Sequence, residues 1–185
     1  EDGLVLFSER VRFAARPMVG TIGTAPASGT IPSFHPGPHG GNLDINATAV
    51  GSTVYLPVSV PGALLAVGDV HASMGDGELT GGGIDIRAEV MVQVDLHRAL
   101  GWQRPVIETP DAWCTCANAP DLAEAIRLAT RDMARLLARQ LDLSFEESFI
   151  LIGAAGDLRI GQAAQVGVDM TAYLRISKSI MPAAY

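Results

Sequence analysis

Apolar and polar positions alternate with period two through much of the first half of the chain. The longest run covers residues 84–95, where one side of an extended chain would carry Ile84, Ile86, Ala88, Val90, Val92 and Val94. Such alternation predicts a half-buried β-strand. Shorter runs between glycine and proline turns predict strands at residues 4–7, 11–15, 20–24, 52–60 and 63–68. We therefore expect a β-rich domain over residues 1–95, with a barrel-like or sandwich-like architecture.

Helical spacing replaces this alternation after residue 118. Asp121 or Asn118 is placed to cap a helix that runs to about Leu141. Its expected apolar face consists of Leu122, Ile126, Ala129, Met133, Leu136, Leu137 and Leu141. Ser144 and Glu147 form a capping-box pattern for a second helix, which we expect to end near Ala155 and Gly156.

The remaining segments complete a three-part division of the chain. Residues 96–118 contain prolines, two tryptophans and two cysteines with little periodicity, and we interpret them as a connector packed by its aromatic rings. Residues 119–185 are expected to form an α+β subdomain, with short strands at 158–160, 166–168 and 172–176. The predicted fold class is β-rich α+β, with both helices in the C-terminal half.

Charge and hydropathy narrow the classes of partner. The 185 residues carry a formal net charge of −7, and the pI is near 4.9. Nucleic acids and anionic membranes are bound through clustered Lys and Arg, so neither is expected as a partner. Charges or glycines interrupt every apolar run before it reaches the roughly 18 residues of a membrane span. Cys114 and Cys116 are too close for a strain-free mutual disulfide, which favours a reducing compartment, the cytoplasm.

Histidines, carboxylates and glycines are concentrated in residues 35–89, otherwise built of small and β-branched residues. Residues two apart on a strand share a face, so Asp69 should lie beside His71, and Asn42 beside Asp44. These pairs could converge on a divalent metal. From spacing alone, the alternative that Asp69 caps a turn and His71 is a core histidine remains open, and is somewhat favoured.

Three further features could serve either chemistry or structure. The Gly75-Asp76-Gly77-Glu78 segment could bring a carboxylate to a reacting centre, or it could be a solvated turn. Cys114 and Cys116 could supply a nucleophile, although no histidine is near them in sequence. A ridge of arginines on the first helix is expected to be solvated or to serve assembly of a homo-oligomer; it consists of Arg127, Arg131, Arg135 and Arg139.

Several blocks of the chain keep the order and spacing of a known family. They are HGGNLD at 39–44, YLPV at 55–58, PGAL at 61–64, GDVHASMGDGE at 68–78 and GDLRIGQ at 156–162. With these blocks the chain resembles the acetamidase/formamidase family over most of residues 31–176. The resemblance implies hydrolysis of small aliphatic amides such as formamide and acetamide to ammonia and a carboxylate, with a divalent metal, zinc, as the cofactor.

The resemblance also assigns roles to residues of these blocks. It implies His39, Asp44 and His71 as metal ligands, and Glu78 as the general base with Asp76 and Asp69 in support. Gly40, Gly41 and Asn42 are expected to bind the substrate, because a glycine pair lets backbone N–H groups face a ligand.

Two alternatives to a complete linear amidase stay open. Enzymes of the family are longer and carry a β-rich region before the HGGNLD block, so this chain is expected to lack a segment that a separate N-terminal polypeptide could supply. It would then be a non-catalytic or half-site subunit. The other alternative is a cyclic amide, or lactam, as the substrate on the same fold.

Overall fold

The computed structural model describes residues 3–185, so the first two residues of the predicted 1–95 domain lie outside the described residues. Eleven strands and two helices follow one another along this part of the chain. The strands are β1 (Leu4–Leu6), β2 (Arg12–Ala14), β3 (Met18–Gly23), β4 (Pro36–Gly37), β5 (Gly40–Asn42), β6 (Thr53–Tyr55), β7 (Ala66–His71), β8 (Val106–Glu108), β9 (Ala112–Ala119), β10 (Asp157–Ile160) and β11 (Met170–Ser177). The helices are α1 (Leu122–Leu141) and α2 (Phe145–Ala155). The predicted β-rich α+β class is confirmed.

All strand pairs are antiparallel, and the strands form three sheets. The hairpin β1-β2 stands alone, a four-stranded sheet has the order β4-β5-β3-β7, and a five-stranded sheet has the order β10-β11-β9-β8-β6. In the four-stranded sheet β3 lies between β5 and β7, and Thr21 is opposite both Asn42 and Gly68. This register brings the HGGNLD and GDVH blocks to the two sides of one strand.

The segment 96–118 differs from the predicted connector, because it contains β8 and β9. β9 is the middle strand of the five-stranded sheet, between β8 and β11. All but one of its eight residues are buried. A strand covered on both faces needs no polar alternation, and its small residues therefore carried no period-two signal.

Both helices begin at the predicted caps. The Asp121 side chain accepts a hydrogen bond from the Glu124 N–H, and Ser144 and Glu147 make both hydrogen bonds of the capping box. α1 packs on β9 and β11 through a buried face that includes Ala129, Met133 and Leu137. The helices thus cover one face of the five-stranded sheet and close the main hydrophobic core.

Two strand predictions were wrong. Residues 166–168 lie in a turn and bend before β11. Residues 84–95 do not form a strand: Asp85 makes one isolated bridge to His71, Ile86 donates one backbone hydrogen bond to Val70, and the chain from Arg87 onward is exposed. The alternation there is real, but within residues 3–185 its apolar side is only partly covered, with Val90 41%, Val92 47% and Val94 71% exposed.

Across the part of the chain that the structure describes, neither helix has the length and apolar character needed to cross a membrane.

Candidate functional site

Three of the predicted site residues converge at the edge of the four-stranded sheet. One donor atom each from Asp44, Asp69 and His71 lies within 4.8 Å of the other two. The His71 Nε2 atom is 3.3 Å from Asp69 Oδ1, as expected for residues two apart on β7. Asp44 and His71 are buried, whereas the Asp69 side chain is 34% exposed. The group is therefore mostly buried, with one partly accessible carboxylate.

A hydrogen-bonded pair on β3 and β5 holds Asp44 in place. The Asn42 side-chain amide donates to Asp44 Oδ2 over 2.6 Å. The Thr21 hydroxyl donates to Asn42 Oδ1 over 2.6 Å and lies 3.4 Å from Asp69 Oδ2. Asn42, predicted to bind substrate, thus acts in this structure as a support for Asp44.

Glu78 lies beside Asp44 in the buried part of the site. It is close enough to act on the pKa of Asp44, and Gln165 Nε2 donates to Glu78 Oε2 over 3.2 Å. Burial, followed by the charges of Glu78 and Asp69, raises the pKa of Asp44 to about 8. Without a cation, the Asp44 carboxyl group is therefore mostly protonated at neutral pH.

Gly20, on β3, leaves space where two of the carboxylates meet. A Cβ atom at this position would lie 2.5 Å from Asp44 Oδ1 and 2.6 Å from Asp69 Oδ2. Asp44 Oδ1 is buried, and no hydrogen-bond donor among residues 3–185 satisfies it. A divalent cation bound by carboxylate oxygens and an imidazole nitrogen would satisfy this atom, so these residues fit a metal ion.

Asp85 is a further neighbour of His71 that the sequence analysis did not identify. Its Oδ1 atom lies 3.2 Å from His71 Nε2. The backbone of Gly83 packs on the same ring, since a Cβ there would lie 2.5 Å from Nδ1. In the alternating run 84–95, Asp85 stands opposite the apolar positions, and only its bridge to His71 reveals the contact. Gly20, Thr21 and Gln165 were also missed, because they come from distant segments with no local signal.

The backbone is left-handed at three of the site carboxylates. The φ angles are 47° at Asp44, 56° at Asp69 and 45° at Glu78. Non-glycine residues adopt this region at a cost, although Asp tolerates it better than most. Asp142 has the same geometry at the C-terminus of α1, so the angle alone does not mark a functional site. What distinguishes the three site carboxylates is that they occur close together.

Two of the predicted site residues lie away from this group. His39 packs against Gly37 and Gly41, its Nδ1 is buried without a partner in the described chain, and burial lowers its pKa. It is not one of the three clustered donors. Asp76 accepts hydrogen bonds from Asn46 over 2.8 Å and from Arg159 over 3.2 Å, so it links the loop at Asn46 to β10.

The glycine pair has a clear role in the sheet. Gly40 and Gly41 lie on β5 with φ angles of 95° and 83°. A Cβ on Gly40 would collide with the carbonyl oxygen of Ile22, and one on Gly41 with that of His35. Both positions therefore require glycine for close strand approach, and their binding of substrate stays a prediction.

A cysteine nucleophile finds no support in the geometry. Cys114 and Cys116 are buried in a hydrophobic cluster with Leu43 and Ile45. Burial raises the pKa of the Cys114 thiol to about 12 and that of Cys116 well above its usual range. Neither thiol is ionised at neutral pH, so neither is an activated nucleophile.

Comparison with known proteins places this geometry in a family. The model of the Acetamidase/Formamidase family matches residues 27–175. The formamidase of Methylophilus methylotrophus is 45% identical over 62 residues, which are 33% of this chain and 15% of that protein.

Two crystal structures extend the likeness over nearly the whole chain. The acetamidase from Bacillus halodurans is 38% identical with a TM-score of 0.85, and the alignment covers 98% of this chain and 61% of that one. A recombinant predicted acetamidase/formamidase from Thermoanaerobacter tengcongensis is 37% identical with a TM-score of 0.86, over 98% and 60%. The chain thus spans less than two thirds of these relatives. It belongs to the acetamidase/formamidase family.

Proposed function

We propose that this chain carries the metal-assisted site of an amidase, which hydrolyses small aliphatic amides such as formamide and acetamide to ammonia and a carboxylate. The observation that carries the proposal is the convergence of Asp44, Asp69 and His71 beside the buried carboxyl of Glu78. These residues come from two blocks of a family whose relatives are named for amide hydrolysis.

We propose zinc as the ion, with Asp44, Asp69 and His71 as its ligands. Asp69 takes the place first given to His39, because the Asp69 oxygen belongs to the clustered donors and the His39 ring does not. Oxygen and imidazole ligands in a partly open site suit zinc. When bound, such an ion polarises a carbonyl oxygen and lowers the pKa of water.

Glu78 is the proposed proton carrier. Hydrolysis removes a proton from water and requires one on the amide nitrogen before the C–N bond breaks. Glu78 can accept the first proton and deliver it to the departing nitrogen, while the Gln165 amide holds its Oε2. Asp85, which is not one of the proposed ligands, lies beside His71 Nε2 and helps to orient the imidazole.

The test is metal analysis combined with ammonia release from formamide, acetamide, butyramide and a five-membered lactam. We expect one zinc per chain, turnover of the linear amides, and loss of turnover after chelation. The Glu78→Gln variant should lose at least about 100-fold in kcat while keeping its zinc. Glu9→Gln, at an exposed glutamate between β1 and β2, is the matched control.

Two results would redirect the proposal. Activity that survives complete metal removal contradicts the proposed role of the metal ion in catalysis. Full activity of Glu78→Gln contradicts the role of Glu78 as proton carrier. Preference for the lactam would favour the cyclic-amide alternative.

The half-site alternative is favoured by one specific observation, the 61% of the Bacillus halodurans acetamidase that this chain covers. It predicts that the zinc-loaded chain alone does not release ammonia and that a second polypeptide restores turnover. A reducing, cytoplasmic location and a homo-oligomer remain parts of the proposal. The two free thiols support the reducing location. The arginine ridge on α1 supports the homo-oligomer.

A further inference from the structure

Residues 87–96 are an exposed segment with the sequence of a strand. Every one of them is exposed, including Val94 at 71%, Leu96 at 65% and Met91 at 100%. Apolar side chains fill the even positions from Ala88 to Leu96, and Arg87, Glu89, Gln93 and Asp95 are at odd positions. A strand of this composition is normally covered on its apolar face.

The backbone of this segment is also unpaired. Just before it, Ile84 and Ile86 hydrogen-bond to β7: the Ile86 N–H donates to Val70 O over 2.9 Å, and the Ala72 N–H donates to Ile84 O over 2.7 Å. From Arg87 to Leu96 no backbone hydrogen bond is made to any other part of residues 3–185. The chain therefore pairs with the end of β7 at residues 84–86. From Arg87 onward it leaves β7, and both backbone edges of the segment are without hydrogen bonds to the rest of residues 3–185.

A strand with one apolar face and unpaired backbone edges is a site for strand addition. Unpaired N–H and C=O groups beside β-branched side chains template pairing with another strand, and proteins usually block such edges with lysine or proline. Residues 87–96 contain neither. A partner must supply a strand edge for the backbone and an apolar layer over Val90, Val92 and Val94.

We propose that residues 87–96 pair with a strand of a β-rich polypeptide equivalent to the part of the family's structures that this chain does not span. That part is large, because the chain covers 61% of the Bacillus halodurans acetamidase and 60% of its Thermoanaerobacter relative. The proposal rests on family membership and on the exposed segment, and it is independent of the catalytic roles given above.

Docking at this segment would act on the candidate site through Asp85. This residue is two positions before Arg87, and its carboxylate lies 3.2 Å from His71 Nε2. It is 78% exposed at present, so little besides His71 fixes its side chain. β7 holds the backbone at Ile84 and Ile86, on either side of Asp85. A strand paired with residues 87–96 would extend this support along the chain beyond Ile86.

The experiment uses the full 185-residue chain, alone and co-expressed with the part of the Bacillus halodurans acetamidase that lies outside the aligned region. Light scattering gives stoichiometry, and hydrogen exchange reports the amides of residues 87–96. We expect unprotected amides in the chain alone, an equimolar complex on co-expression, and at least tenfold slower exchange of the partner-facing amides in that complex.

A matched pair of variants tests which face is covered. Val92→Lys, on the apolar row, should abolish the complex, and Met91→Lys, on the opposite face, should keep it. Both side chains are already exposed, so neither change should unfold the isolated chain. Three results would overturn the proposal: the absence of a complex, a complex in which these amides still exchange freely, or a dimer of this chain alone in which they are protected. None of these experiments measures amide turnover. A negative result would therefore count against strand pairing at residues 87–96 and not against the proposed catalysis.

Discussion

Gly20→Ala is the sharpest test of the candidate metal site, because it adds one methyl group where two proposed ligands meet. The new Cβ would lie 2.5 Å from Asp44 Oδ1, 2.6 Å from Asp69 Oδ2 and 2.9 Å from the Asp69 carbonyl oxygen. An ordinary carbon–oxygen contact is about 3.3 Å, so each carboxylate oxygen must retreat by roughly 0.7 Å. Metal sites hold their ligand distances to within about 0.2 Å. Retreat of both oxygens therefore removes the ion's binding geometry.

The expected result is a loss of zinc affinity of at least about 100-fold, with a similar loss of metal-dependent activity. Overpacking at this buried position should also cost about 1–3 kcal/mol of folding free energy. Calorimetric zinc titration, circular dichroism and urea unfolding separate the two effects. Gly68→Ala is the matched control: it lies on β7 next to Asp69, and a Cβ there meets no atom within 4 Å. Zinc affinity in folded Gly20→Ala within threefold of the Gly68→Ala value would refute the metal site as described.

Two further predictions concern stability. The folded-state pKa of Asp44, about 8, is above its ordinary value of 3.8, so the folded metal-free protein binds the extra proton and loses stability as pH rises from about 4 to 8. Asp44→Asn should remove this loss of stability, so the melting temperature of the metal-free protein at pH 8 should rise by at least about 2–4 °C, or roughly 1 kcal/mol. Zinc should no longer stabilise this variant. If its stability depends on pH as the wild type's does, burial of Asp44 is not the cause of the pH dependence. Ser144→Ala should cost about 1 kcal/mol in urea unfolding by removing the capping box of α2, and it should leave zinc affinity unchanged. Wild-type stability in that variant would show that tertiary packing alone fixes the start of the helix.

Local signals were sufficient to predict the helices and the two residue pairs of the site. The residues that form a helix cap lie within four positions of one another in sequence, so Asp121 and Ser144 could be identified directly. Asp69 and His71 share a face because they are two apart on a strand, and the contact between Asn42 and Asp44 has the same origin. These features depend on backbone geometry that the sequence determines over short distances.

Contacts between strands could not be read in the same way. Gly20 and Thr21 join the site through the pairing of β3 with β5 and β7, more than 20 residues away along the chain. β9 was missed because a doubly covered strand has no alternation. Residues 84–95 show the opposite case: they alternate between apolar and polar side chains, yet within residues 3–185 no strand pairs with residues 87–95 and their apolar side is only partly covered.

The energetics of the site explain why a bound cation is the simplest account of it. Left-handed backbone at Asp44, Asp69 and Glu78 costs on the order of 1 kcal/mol for each residue, even at the tolerant end of the range. Asp44 Oδ1 adds the cost of a buried acceptor without a donor, about 1–3 kcal/mol. Together these costs are a large fraction of the 5–15 kcal/mol that typically separates folded from unfolded states. A divalent ion would coordinate the unpaired Asp44 Oδ1 atom. Its positive charge would also stabilise the ionised form of Asp44 beside the neighbouring carboxylates, and would so lower the pKa that these neighbours raise. Two of the residues that destabilise the metal-free fold, Asp44 and Asp69, are therefore also proposed ligands of the ion.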